Sequence, residues 1–246
     1  MNTIASEKGY SLLEVLISAG LGVIVLAGAF DVYISSTKSI MGQANIVQMQ
    51  ADTKAAMDNM VAELRMAYTG NTTLASAIVA SNTITFYRTQ ESGYATGGTT
   101  TTLANTNLNK AWTVNQFAST SAGTYYLWIK TGAGSGQASP ATIQSNTSTT
   151  LTLASALTTA PSTDSLYFIV RQKTFTLLAD MTVRSLITGG KYHLLAQNVT
   201  LLQFDQNSPC SATSVCITLS ARSKDLDPRT KQYRTYSLTS SATPRN

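Results

Sequence analysis

From Val15 to Ile34 apolar residues follow one another almost without a break. As a helix these twenty residues measure about 30 Å, the thickness of a bilayer's hydrocarbon core. Past Ser35 the composition turns polar, yet Ile40, Ala44, Val47, Ala51, Ala55, Val61, Leu64 and Tyr68 recur mostly at spacings of three and four. That period predicts one apolar helix face, in phase until Thr69-Gly70-Asn71 ends it. No proline falls between Tyr10 and Tyr68, so both segments read as a single helix about 90 Å long. Residues 10–34 are its transmembrane half and residues 35–69 its amphipathic half.

Beyond Gly70 the period drops to two. Thr83 to Arg88, Tyr125 to Lys130, Thr150 to Leu153 and Ser165 to Arg171 are rich in β-branched and aromatic residues and predict strands. Phe175 to Leu178, Val199 to Phe204 and Val215 to Ala221 continue the series. Gly/Ser/Thr/Asn stretches at 93–109 and 131–139 predict long surface loops. The expected fold class is α+β: a long N-terminal transmembrane and amphipathic helix packed on an antiparallel β-rich head, residues 70–246.

Composition adds a compartment. Only 12% of the residues are charged, which favours a secreted or surface protein over a cytosolic enzyme. Up to Gly70 there are four Lys/Arg against six Asp/Glu, net −2; beyond it thirteen against six, net +7. A basic head suits anionic partners such as DNA or acidic surfaces. Cys210 and Cys216 are six apart, too wide for a redox pair, and the single histidine is not nearby in sequence. A disulfide clamping a hairpin between strands ending near Phe204 and starting near Val215 is expected, with free buried thiols the alternative. Such a bridge implies an oxidising compartment.

Asp31, near the far end of the run, can reach the interface and reads as a boundary charge; the charge that interrupts the apolar pattern is Glu14, in Gly9-Tyr10-Ser11-Leu12-Leu13-Glu14-Val15. A charge in a membrane helix costs roughly 2.5–3.5 kcal/mol even on lenient scales, so it calls for a partner. The stretch before it, residues 1–9, is polar and ends in glycine. Unlike a secretory signal, a cut there would leave the apolar run on the mature chain.

A short leader ending in glycine, then an aromatic, a hydroxyl residue, two leucines and a glutamate ahead of an apolar helix, resembles the type IV prepilin signature. The resemblance implies that a prepilin peptidase/N-methyltransferase cuts after Gly9 and methylates Tyr10, where most relatives carry phenylalanine. It also implies that Glu14, fifth in the processed chain, pairs with the terminal amine of a neighbouring subunit and sets axial register. Met57-Asp58-Asn59-Met60-Val61-Ala62-Glu63-Leu64-Arg65-Met66-Ala67-Tyr68 is similar to the helix end of PilW-type minor pilins. The expectations are a subunit for pilus assembly or priming, held in the inner membrane with its head outside the cytoplasm. From there it would join other major and minor pilins in a filament. A pseudopilin of a type II secretion system, of the GspJ kind, is the alternative.

Catalysis finds no motif: there is no phosphate loop, nucleophile motif or metal-binding spacing, and no cofactor is expected. His193, in a strand-like run, reads as a structural or exposed residue rather than a base. Asp205, Asp225 and Asp227 lack the glycine turn and closing glutamate of a calcium loop. The basic run Arg222, Lys224, Arg229, Lys231 and Arg234, interleaved with Tyr233 and Tyr236, offers contacts for DNA phosphates and bases. A solvated hairpin face, partly balanced by Asp225 and Asp227, is the reading preferred for it. The sequons at Asn71, Asn146 and Asn198 read as chance in so Ser/Thr-rich a chain.

Overall fold

The structure, a computed structural model, describes residues 11–68, 82–107, 111–119, 123–137, 139–188, 190–205, 210, 214–228 and 230–244. Helix α1 spans Leu12–Arg65 without interruption. Some of its hydroxyl side chains bond back one turn, Ser18 Oγ to the Glu14 carbonyl at 2.7 Å, Thr37 Oγ1 to the Tyr33 carbonyl at 2.9 Å and Thr53 Oγ1 to the Met49 carbonyl at 2.6 Å. Their polar atoms are thereby satisfied within the helix.

The helix ends earlier than its apolar pattern predicts. After Arg65 the chain leaves the helix and meets strand β1 (Thr83–Tyr94): Tyr68 N–H donates to the Tyr87 carbonyl and Thr89 N–H to the Met66 carbonyl. Strand pairing has displaced the last helical turn.

The expected apolar face is also corrected. The residues that α1 buries are Met49, Thr53, Ala56, Met57, Met60, Val61 and Leu64. Ile40 and Val47 are each 64% exposed, and Ala44, Ala51 and Ala55 are exposed beside them. The expected series changes phase at the six-residue step from Ala55 to Val61, about 240° of rotation. Only its last three members, Val61, Leu64 and Tyr68, are buried against the head.

Eleven further strands follow in the described residues: β2 (Gly97–Thr99), β3 (Thr102–Ala104), β4 (Tyr125–Thr131), β5 (Ala141–Asn146), β6 (Thr150–Leu153) and β7 (Leu166–Leu177), then β8 (Val183–Ile187), β9 (Tyr192–Ala196), β10 (Val199–Asp205), β11 (Val215–Arg222) and β12 (Thr235–Ala242). Every pairing between them is antiparallel, so the chain is α+β as expected. Nine strands form one sheet in the order β2-β3-β6-β5-β4-β7-β8-β9, with β1 also on β7; β10-β11-β12 form a second. Strand β7 organises the first sheet. One edge carries β1 along its length, while the other carries β4 opposite residues 166–171 and β8 opposite residues 173–177.

Three expectations change here. The two strands expected around Ser165–Arg171 and Phe175–Leu178 are one, β7, and the 93–109 loop contains the end of β1 and the short hairpin β2–β3. Strands β5, β8 and β12 were not among the predicted ones, whereas β9 falls on the strand-like run around His193. The polar triplet Gln172-Lys173-Thr174 does not break β7 because Lys173 has a partner on the helix: Glu63. That carboxylate lies 3.1 Å from Lys173 Nζ and 3.0 Å from Arg88 Nε on β1, joining α1 to both long strands.

Two main cores result. The helix-side core packs Met57, Met60 and Leu64 against Phe175, Phe204, Ile217 and Leu219, filling the space between α1 and both sheets. The distal core gathers Trp112, Phe117, Leu127, Ile143, Leu151 and Tyr167 under the short strands. Tyr68, Trp128, Phe168 and Val170 make a third, smaller cluster.

Candidate functional site

Ser11 stands at the N-cap of α1 with extended backbone, and its carbonyl accepts from Glu14 N–H at 2.9 Å and Val15 N–H at 3.2 Å. Glu14 therefore sits in the first helical turn, where the helix dipole presents positive charge. Around it Leu12, Leu13, Val15, Leu16 and Ile17 are each more than half exposed. The 18-residue apolar window of α1 has a mean hydropathy of 2.2 and buries none of its residues within the protein. Helix α1 is thus long and apolar enough to cross a membrane. A contiguous apolar surface of this extent marks a site of interaction. Glu14 is the only charge between Leu12 and Phe30. Gly9 and Tyr10, the expected processing residues, lie outside the described residues.

The cysteines behave as expected. Cys210 and Cys216 form a disulfide with a Cα–Cα distance of 5.8 Å, and β10 and β11 pair beside it, Asp205 opposite Cys216.

The basic residues do not make one cationic patch. Arg234 places Nε and Nη2 at 2.7 and 2.6 Å from the same Asp227 oxygen. Asp227 also accepts from Thr230 N–H through Oδ1, while its carbonyl accepts from Lys231 N–H, so the loop folds around that carboxylate. The Arg222 guanidinium lies 4.2 Å over the Tyr233 ring, which occupies one face of that ring. Lys224 and Lys231 are exposed, and Arg229 lies outside the described residues. Asp225 accepts from Asn45 Nδ2 at 3.2 Å and so holds the loop to α1. Asp225 and Asp227 thus serve the loop's own contacts. Among the described residues no three His, Cys, Asp or Glu side chains are grouped closely enough to hold a metal ion. His193 is exposed on β9.

Two features escaped the sequence. The Glu63–Arg88–Lys173 ion network joins residues far apart in the chain, and no local signal announces it. The other is a groove of about 410 Å3 between α1 and β9, with Arg222 and Lys224 beside it.

No protein-family model, curated protein or solved structure matches this chain. Its function has to be argued from these residues.

Proposed function

We propose that the chain is a membrane-inserted subunit of a type IV pilus-like filament, a minor pilin acting in assembly or priming. Glu14 carries the reading. It is an isolated carboxylate in the first turn of a helix that carries no other charge up to Phe30 and is unburied there by the rest of the protein. In lipid that charge needs a counter-charge, and Tyr10 stands four positions earlier in the sequence. Cleavage after Gly9 would create an amine there, and a neighbouring subunit's amine would pair with Glu14. Such a pair sets axial register more than it adds net stability.

Both steps can be tested separately. Gly9→Asp should block processing, so the mature mass would be missing from membranes. Glu14→Ala should be cleaved normally but be at least about tenfold depleted from sheared filaments, the scale of one lost buried charge pair. Wild-type incorporation of Glu14→Ala would refute the register role.

A further inference from the structure

Strand β9 ends the nine-stranded sheet. It pairs with β8 on one side and with no strand on the other among the described residues. Its sequence, Tyr-His-Leu-Leu-Ala, has no proline and no fixed charge, the usual protections of an open edge. Tyr192 is 54% and Leu194 50% exposed.

The groove runs along this edge. Successive strand side chains point to opposite faces, so consecutive residues line one groove only when it follows the strand's rim. Leu194, Leu195 and Ala196 of β9 do so, continued by Gln197 and Asn198 of the following bend, while α1 supplies Asn45, Gln48, Met49 and Asp52, spaced as one helix face. A helix face opposite a free strand edge is the geometry in which an extended peptide adds as a strand, with main-chain hydrogen bonds giving affinity.

The same groove carries charge. Arg222 and Lys224 line it, and the Arg222 Nε is shielded from water with no hydrogen-bond acceptor. Asp52 opposes them but is already held by Gln48 Nε2 at 2.8 Å. The surplus is cationic, which fits a carboxylate.

We propose that the groove between α1 and β9 receives an extended peptide of a partner protein as an added strand, its carboxylate held by Arg222 and Lys224. Recognition of this kind is independent of Glu14 and of the apolar N-terminal half of α1.

The test uses the full chain in detergent micelles and a phage library of random octapeptides displayed with free C-termini. Enriched peptides should be extended in character and bear a carboxylate. Once resynthesised, they should slow amide exchange in Tyr192–Ala196. The double variant Arg222→Gln/Lys224→Gln should weaken them at least about tenfold. Lys224→Gln alone, which leaves the Arg222–Tyr233 stack in place, should weaken them in the same direction. Loss on C-terminal amidation assigns the carboxylate to the chain end; loss only on Asp/Glu→Asn/Gln change assigns it to a side chain. The proposal falls if no peptide is enriched over micelles holding an unrelated membrane protein. It falls equally if binding survives loss of both cations, or if protection appears away from β9. Single-stranded DNA bound by these two cations, with no peptide enriched, would give them to phosphate instead and overturn it.

Discussion

The helix-side core and the distal core share strand β7 but are held by different means. In the first, long elements repeat: β11 alternates buried and half-buried residues along its whole length, and α1 buries a position every three or four residues. In the second, strands are short and polar side chains fasten the loops. Asn146 is 2% exposed; its Nδ2 donates to the Thr113 and Thr147 carbonyls and its Oδ1 accepts from Phe117 N–H, all at 2.8 Å. Trp112 Nε1 donates to Glu91 and Asn105 Nδ2 to the Tyr167 hydroxyl. Regular periodicity specifies the one lobe, and a few buried hydrogen bonds specify the other.

Removing one large side chain from the shared strand tests how far the lobes are separate. Phe175 is fully buried between α1 and the second sheet. Phe175→Ala should cost about 3–5 kcal/mol, transfer and cavity together. Because β7 crosses both cores and β1 pairs with it along its length, amide exchange should accelerate in both lobes. Undisturbed exchange in β5 and β6 would mean that the lobes unfold independently.

Asn146→Ala probes the distal lobe alone. It strips one acceptor from the buried Phe117 N–H and a donor pair from the part-buried Thr113 and Thr147 bonds, which should cost about 3 kcal/mol at roughly 1 kcal/mol each. Faster exchange should be confined to β5, β6 and the 111–119 segment. If β10 and β11 lost as much protection, the contrast between periodic and fastened lobes would be wrong.

This contrast also sets what the sequence made legible. The membrane-length run, the β10–β11 hairpin, its disulfide and the isolation of Glu14 all follow from local patterns. The distal lobe does not, because its signals are single residues with a meaning elsewhere. Gly93 reads as the start of a loop, yet it lies in β1 opposite Tyr167, and a Cβ there would stand 2.9 Å from the Tyr167 hydroxyl. Asn146 reads as a chance sequon but serves as a buried fastener. On α1 the branched Ile40 and Val47 suggest the packed face, whereas Met49, Thr53, Met57 and Met60 form it. Unbranched methionines fill the irregular gap against two sheets. The groove is the least legible feature, since it depends on β9 being last in its sheet, and strand order is not written in any local period.

Alkaline pH sharpens the comparison with the smallest effect. Burial in the distal core pushes the Tyr167 phenol up to about 12; the Asn105 hydrogen bond lowers it and the Glu91 charge raises it, both less than burial does. The folded protein thus favours the neutral ring. This stabilisation is complete below an unfolded value near 10 and is lost as pH rises through about 12. The loss should be about 2 kcal/mol after solvent screening. Tyr68 is raised by burial as well, so Tyr68→Phe provides the background for the measurement. In that background Tyr167→Phe should be less stable at pH 7, because Asn105 Nδ2 loses its acceptor, yet its stability should fall less steeply between pH 10 and 12. Urea titrations at each pH read both slopes. Parallel slopes would mean that the Tyr167 hydroxyl reaches water in the folded state, and that the distal core is less closed than its hydrogen bonds require.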